Sequence, residues 1–504
     1  MSNLSHELII PEHLLSLSTD WNEQRYYDLM LKTLSKNISF ILVLLLCAAP
    51  LMASPPTVDH LAQLVQKNRV RIDLDRTNLT VHFSPTAEPS LRAWGDPNKV
   101  DRTDRLIVIK DSEGALISRS SPEGDTPLSK ISVDILLRTD QELVVMGHDL
   151  DLTIFNDPEA PHPDDTPTSP RIDVSNSSVR CIGRIPSHLV ATDSIISLEG
   201  GSGDLHLELE SSQVGINEFA GNIKTETVGG DLRIKNLEGQ LTANLDQGTL
   251  LADGIAGGLS IQLQDASVNL QDCQGQTVIT GRSSDIGIYG LSASQLTVRG
   301  SDLRVTASRL KTKSSFFLAS STVDLQDLTG DLSLRLTDGC QIEADGLFGK
   351  VNFHIEGPGS WAKLSRLDGP LQAFVADGRL EVEDANGMSL ECRYADIELT
   401  NIRSLGKILS KACTLQLDIP ESATKPFLNL SEGSRATATL AQPCLVEANG
   451  KSSDLQLAVT VLGCYLKYAR SGRTTAKSGL TKSAAVTLRA NLDGTSTLDV
   501  TSSP

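Results

Sequence analysis

The chain has 504 residues, with 63 acidic against 45 basic side chains, a net charge of −18 and only 4% aromatic residues. So acidic a surface argues against nucleic-acid binding and against adsorption to anionic lipid. So few aromatics do not furnish a conventional globular core of this size, and the length suits either two or three domains or one elongated repeat body.

Residues 1–29 carry Glu7, Glu12, Asp20, Glu23 and Asp28 against a single Arg25. That composition does not fit a signal peptide. The stretch reads as an upstream extension before a start at Met30, or as a cytoplasmic tail before a membrane anchor. Residues 30–53 have a secretory layout: Lys32 and Lys36, the apolar run Ile38–Met52, and small residues that place cleavage after Ala53. The run is short for a bilayer span, which takes ~20 residues; a buried helix or uncleaved anchor is the competing reading. Removing residues 1–29 (charge −4) and 30–53 (+2) leaves −16 and no membrane span in the mature chain. Export to the periplasm or the cell surface is expected.

Residues 54–155 read as an N-terminal helix cap followed by a small, irregular β module. Val58, Leu61, Leu64 and Val65 fall on one helical face, and strand-like runs follow at Val70–Leu74, Leu79–Phe83, Leu106–Ile109, Ile131–Leu137 and Leu143–Met146. A helix here would cover the open end of a stacked sheet. Residues 156–170 hold Pro158, Pro161, Pro163, Pro167 and Pro170 among acidic residues, the composition of a linker.

From 171 to 465 a nine-residue beat takes over. Glycine stands at 203, 221, 230, 239, 248, 257 and 275, and Ser212, Ala266 and Ser284 fill the skipped slots. Apolar residues sit two and four places after each slot, as in Leu205 and Leu207, Val214 and Ile216, Leu232 and Ile234, Leu259 and Ile261. Alternation of this kind marks a strand with one buried face, and a fixed period marks a solenoid. The expected fold is all-β: a β-solenoid (β-helix-like) of nine-residue half-turns, two to each coil. Small residues suit the corners, where the backbone takes positive φ or approaches the next layer. The beat slips near Leu296 and returns at Gly330, Gly339, Gly369, Gly378 and Gly387. An antiparallel meander competes, because pairs such as Asp253-Gly254, Asp338-Gly339 and Asp345-Gly346 favour hairpins. Residues 466–504 read as a polar tail with one or two strands, and its basic cluster (Lys467, Arg470, Arg473, Lys477, Lys482) as a solvated face.

Seven cysteines follow the cleavage site, an odd number with no CxxC pair. They read as buried thiols acting as small apolar residues. Cys392/Cys413 and Cys444/Cys464, each about one coil apart, leave stacked disulfide pairs as the alternative.

Catalytic signatures are missing. No HExxH, GxSxG or post-strand GxGxxG occurs. His206 and His354 alternate with apolar neighbours and should face solvent. His148-Asp149-Leu150-Asp151 reads as a solvated strand edge. Gly450-Lys451-Ser452 lacks the first glycine of a phosphate loop, since Leu445 takes that place. Gly200-Gly201-Ser202-Gly203-Asp204-Leu205 has its aspartate one place early for a calcium β-roll, and Asp231, Asp265, Asp272, Asp327 and Asp331 read as corner residues. The sequence therefore nominates no catalytic, cofactor-binding or metal residue, and no cofactor. Glycan-active β-helix enzymes cluster charged groups with aromatic platforms; only Trp94 and Trp361 remain in the mature chain as tryptophans.

At Gly230-Asp231-Leu232-Arg233-Ile234 and Gly239-Gln240-Leu241-Thr242-Ala243 the chain resembles the bacterial adhesin β-repeat family, over about 195–400. The resemblance implies an exported β-solenoid with an adhesin role and no catalytic residues. The repeat, the secretory layout and the missing catalytic motifs lead to a non-enzymatic scaffold that binds a surface protein, an envelope component or a polysaccharide along one face. A glycan lyase or hydrolase and a structural envelope protein are the alternatives.

Overall fold

The computed structural model describes residues 69–503 except 85–88, 95–105, 111–114, 120–130, 157–167, 420–426, 432–433, 441–444, 451–455, 463–464, 472–474, 480–484 and 493–496. Beyond residue 438 only the backbone is described. The expected signal peptide, the helix cap before residue 69 and most of the proline-rich linker lie outside the described residues.

The described chain is all-β, 79% strand and without a helix, and it winds into a β-solenoid of about 14 turns. Coils stack in parallel register. Leu205 pairs with Ile223, Ile223 with Leu241, and Leu241 with Leu259, each step advancing by two beats of the repeat. The second arm keeps the same step, from Ile195 to Gln213, Asp231, Thr249 and Ser267. Parallel ladders throughout the repeat rule out the antiparallel meander. The Asp-Gly pairs that favour it serve as coil corners instead: Gly254, Asp338, Gly339 and Gly346 all have positive φ. A left-handed residue turns a coil as readily as a hairpin, so the dipeptide alone cannot tell the two apart.

Alternation buries the expected ladders. Leu205, Leu207, Val214, Ile216, Leu232 and Ile234 are all buried, as are Val323, Leu325, Leu380, Val382, Ile397 and Leu399 further on. A third inward column runs through Phe219, Leu237, Ile255, Cys273, Leu291, Leu310, Leu328, Leu347 and Leu367. The column belongs to a short third segment of each coil. Left-handed corners fall at Ser211, Gly229, Gln247, Asp265 and Ser283, and again at Glu218, Asn236, Gly254, Asp272 and Gly290. A short interval and a long one thus alternate between corners, in place of the even nine. The nine-residue beat does mark corners: Ser212, Gly230, Gly248, Ala266 and Ser284 each directly follow a left-handed residue of the first set, and Gly203, Gly221, Gly239 and Gly275 take positive φ themselves, where one coil's backbone rests on the next. A Cβ on Gly239 would overlap the carbonyl of Gly221, and one on Gly221 that of Gly203.

Both ends depart from sequence order. At the N-terminal end, Arg69–Asp73 lies between Ala115–Arg119 and Glu142–His148, all parallel. Thr77–Ser84 is likewise held between Ile131–Arg138 and Asp151–Asn156. These coils continue into the repeat through Val144↔Arg171 and Ser178↔Asp151. The irregular N-terminal segment is therefore one stack with the repeat. Two antiparallel strands, Leu106–Lys110 and Ser90–Trp94, pair with Ala115–Arg119 and Ile131–Arg138. At the other end Ala485–Leu492 sits between Leu445–Gly450 and Tyr465–Ser471. Where the sequence suggests a polar tail with one or two strands, four strands run from Tyr465 to Ser503. Ser, Thr and Lys on alternate positions disguise them, because a strand needs only every second residue to be apolar.

The described cysteines 181, 273, 340, 392 and 413 are buried and free. Burial pushes the Cys181 thiol up to about 12 and, with smaller opposing hydrogen bonds, the Cys273 thiol to about 11.

Candidate functional site

The parallel register that stacks inward residues also stacks outward ones. On one face, Arg299 pairs with Phe317, Phe317 with Arg335, and Arg335 with His354. Phe374, one coil further, stacks on His354 with ring centroids 4.6 Å apart and planes at 18°. Strands in a sheet lie ~4.8 Å apart, so these five side chains form a stripe of roughly 19 Å. Two positions earlier on the same strands run Ser315, Ser333 and Asn352, in the same register. Ser333, Arg335, Asn352, His354, Gln372 and Phe374 line one shallow, open groove of about 600 Å³, with Glu391 and Lys407 also on its lining.

The stripe alternates cation and ring. The guanidinium carbon of Arg299 lies 5.0 Å from the Phe317 centroid, and that of Arg393 lies 5.6 Å from Phe374. Phe317 is one of few exposed large apolar side chains among the described residues. The far edge of the stripe is charge-balanced: His354 Nε2 is 3.4 Å from Glu356, and Arg393 donates to Glu391 at 2.8 Å. Among the described residues Arg299 and Arg335 pair with no carboxylate. On a chain of net charge −18 the stripe is a local cationic exception. Chemically it offers ring faces for stacking, hydroxyls and amides for hydrogen bonding, and two guanidiniums for an anionic group.

His206 and His354 do face outward, both half-buried. His354 joins the stripe, and His206 stands beside His188 on the adjacent coil. His148 and Asp149 form a corner rather than a row of ligands: His148 Nδ1 contacts Ser175 Oγ at 3.0 Å, and Asp149, at φ +55°, pairs with Arg76. Leu150, between Asp149 and Asp151, is buried. Asp204 accepts a hydrogen bond from Asn222 Nδ2 at 2.9 Å, one coil on. Asp265, Asp272 and Asp327 are left-handed corner residues. Trp361 donates to Glu381 at 3.4 Å. Lys451-Ser452 lies outside the described residues, as do the side chains of Trp94 and of the basic cluster at 467–482.

Sequence reasoning misses the stripe because its members each stand a whole coil apart along the chain. No local motif contains two of them. Counting outward aromatics and arginines at the regular coil interval finds Arg299, Phe317 and Arg335; His354 and Phe374 follow at slightly longer steps that only the ladder register and the ring contact reveal. Neither a scan against protein-family models nor a search of curated proteins returns a match for this chain.

Proposed function

We propose that the protein is an exported, non-enzymatic β-solenoid scaffold that binds an anionic polysaccharide of the cell envelope or surface along its Arg299–Phe374 stripe. The column of ring and guanidinium groups at successive coils carries this reading. A linear glycan repeats its units along one axis, and a solenoid repeats its side chains along one axis, so a single kind of contact recurs. Stacking on Phe317 and Phe374, hydrogen bonds from Ser333, Asn352 and Gln372, and ion pairs from Arg299 and Arg335 supply the contacts such a chain needs. Glu391 is the single carboxylate among the described residues lining the groove, and it is engaged by Arg393. Hydrolysis of a glycosidic bond uses two carboxyl groups facing each other, which favours binding over turnover. The likeness to the adhesin β-repeat family points the same way.

A lyase is the second reading, because Arg335, His354 and Lys407 line the same groove and such groups serve eliminations on uronates. The test is retention of the purified protein on immobilised polygalacturonate and alginate against dextran, with the flow-through assayed for unsaturated sugar ends. Retention on the acidic gels, weakened by salt and without unsaturated ends, is the expected result. Unsaturated ends transfer the account to the lyase. Equal elution from acidic and neutral gels overturns both.

A further inference from the structure

Away from the stripe, His188 and His206 face each other on adjacent rungs of the parallel ladder. Glu208 follows His206 by two positions and so projects from the same face. Its Oε1 lies 3.6 Å from His188 Nε2 and 3.9 Å from His206 Nε2. One donor atom from each of the three residues falls within 4.8 Å of the other two. The imidazoles meet edge to face, centroids 5.0 Å apart at 81°. His206 Nε2 is buried and has no hydrogen-bond partner among the described residues. An unmet nitrogen there is costly unless something satisfies it.

We propose that His188, His206 and Glu208 form a binding site for a divalent transition-metal ion of the zinc class. Two imidazoles and one carboxylate are a ligand set Zn²⁺ takes, with metal–ligand distances of ~2.0–2.2 Å. Three such ligands at tetrahedral angles stand about 3.4 Å apart, and both carboxylate-to-imidazole distances lie within about half an ångström of that edge. The cations that would oppose a metal are drawn aside. Arg171, next to His188 on the ladder, reaches toward Glu142 at 3.9 Å. Lys224, next to His206, pairs with Glu226 at 3.0 Å. The mix of nitrogen and carboxylate donors selects zinc-class ions over Mg²⁺ or Ca²⁺, which prefer all-oxygen shells. A water or a carboxylate of a bound molecule would complete the shell. Bound metal also clamps together two coils that the backbone ladder already joins.

The experiment is titration of the metal-stripped purified protein with Zn²⁺ by calorimetry, with Mg²⁺ in parallel and thermal unfolding as a second readout. The wild type should take up one Zn²⁺ per chain, gain a higher unfolding temperature and ignore Mg²⁺. H188Q, H206Q and E208Q should each weaken uptake by at least about tenfold and lose the thermal shift, while keeping the far-ultraviolet circular dichroism of the stack. H82Q, on the other arm of the stack, should behave as wild type. Absence of stoichiometric uptake by the folded wild type overturns the proposal, and so does uptake that persists in a folded H188Q/H206Q double variant.

Discussion

His354 lies flat on Phe374, although a whole coil of chain runs between them. The contact exists because each belongs to a successive coil and both occupy the same outward position. Such stacking holds two rings nearly parallel without a core around them. It prepares a flat platform before any ligand arrives, which lowers the ordering cost of binding.

The platform can be removed without touching the ladder. Phe317→Ala and Phe374→Ala each delete an outward side chain. Their unfolding free energies should stay within about 0.5 kcal/mol of wild type, as for other surface changes. Affinity for an acidic polysaccharide should fall about tenfold in each, equivalent to about 1.4 kcal/mol. Denaturant titration and equilibrium binding on the same samples check both halves. A loss of fold accompanying the loss of binding would assign the rings a structural role instead.

The stacking of coils should be intolerant of one methyl group at the glycine beat. Gly239 has φ +153° and its added Cβ would overlap the Gly221 carbonyl. Gly258 has ordinary φ and meets only Gln276 O at 3.6 Å. Gly239→Ala should cost several kcal/mol, on the scale of overpacked sites at about 1–3 kcal/mol plus backbone strain. Gly258→Ala should be within about 1 kcal/mol of neutral. Similar unfolding midpoints for the two variants would contradict the stacking role given to the beat.

Arg184 pins the N-terminal coils together. It is buried, its guanidinium carbon 3.6 Å above the Phe83 ring, and it donates to Thr139 O at 2.9 Å and to Thr168 O. Burial lowers its pKa to about 10, against the raising effect of Asp140. Arg184→Met keeps much of the volume but leaves the Thr139 and Thr168 carbonyls without this donor. A loss of about 2–6 kcal/mol follows if each of the two acceptors costs about 1–3 kcal/mol. Lysine at 184 should recover only part of it, since an ammonium cannot reproduce the planar fork. Urea unfolding of the three proteins decides the matter.

Alkaline pH should weaken the fold through its thiols. Cys181 and Cys273 are raised by burial to about 12 and about 11. An unfolded thiol titrates near about 8.5. Between those values the folded chain holds protons that the unfolded chain has released. The stabilising contribution is therefore complete below about pH 8.5 and is lost as pH rises through the folded values. A Cys181→Val/Cys273→Val variant lacks this contribution and should lose less stability than wild type from about pH 8 to about pH 11. Parallel stability curves would show that the thiols do not couple to folding.

The repeat is legible in the sequence because its signal is local. Leu205, Leu207, Val214 and Ile216 announce two buried strands within two beats, and the next coil repeats them. The ends are not legible. Arg69 pairs with Glu142 and Asn78 with Asp151, each across a stretch of chain long enough for several coils. No period connects such partners, and alternation cannot tell which coil lies outermost. The corners are half legible: the small residues of the beat stand out, but ordinary residues occupy the left-handed positions at Ser211 and Glu218. The candidate stripe is hidden for another reason. Arg299, Phe317 and Arg335 keep the regular two-beat step, but small insertions in the next coils move His354 and Phe374 off it, so only the ladder register and the ring contact line those two up. His188 and His206 do keep the regular two-beat step; coil length, once read, is enough to set them side by side.

The central claim is recognition of a repeating acidic chain by a repeating column of side chains. It is tested most directly by calorimetric titration of the protein with acidic oligosaccharides of increasing length. A stripe of five side chains predicts affinity that climbs with each added unit and levels off once the oligosaccharide spans roughly 19 Å of stacked coils. The plateau should drop in an Arg335→Ala/Phe374→Ala variant that remains folded. Affinity that does not depend on length, or that survives loss of both side chains, would contradict the account.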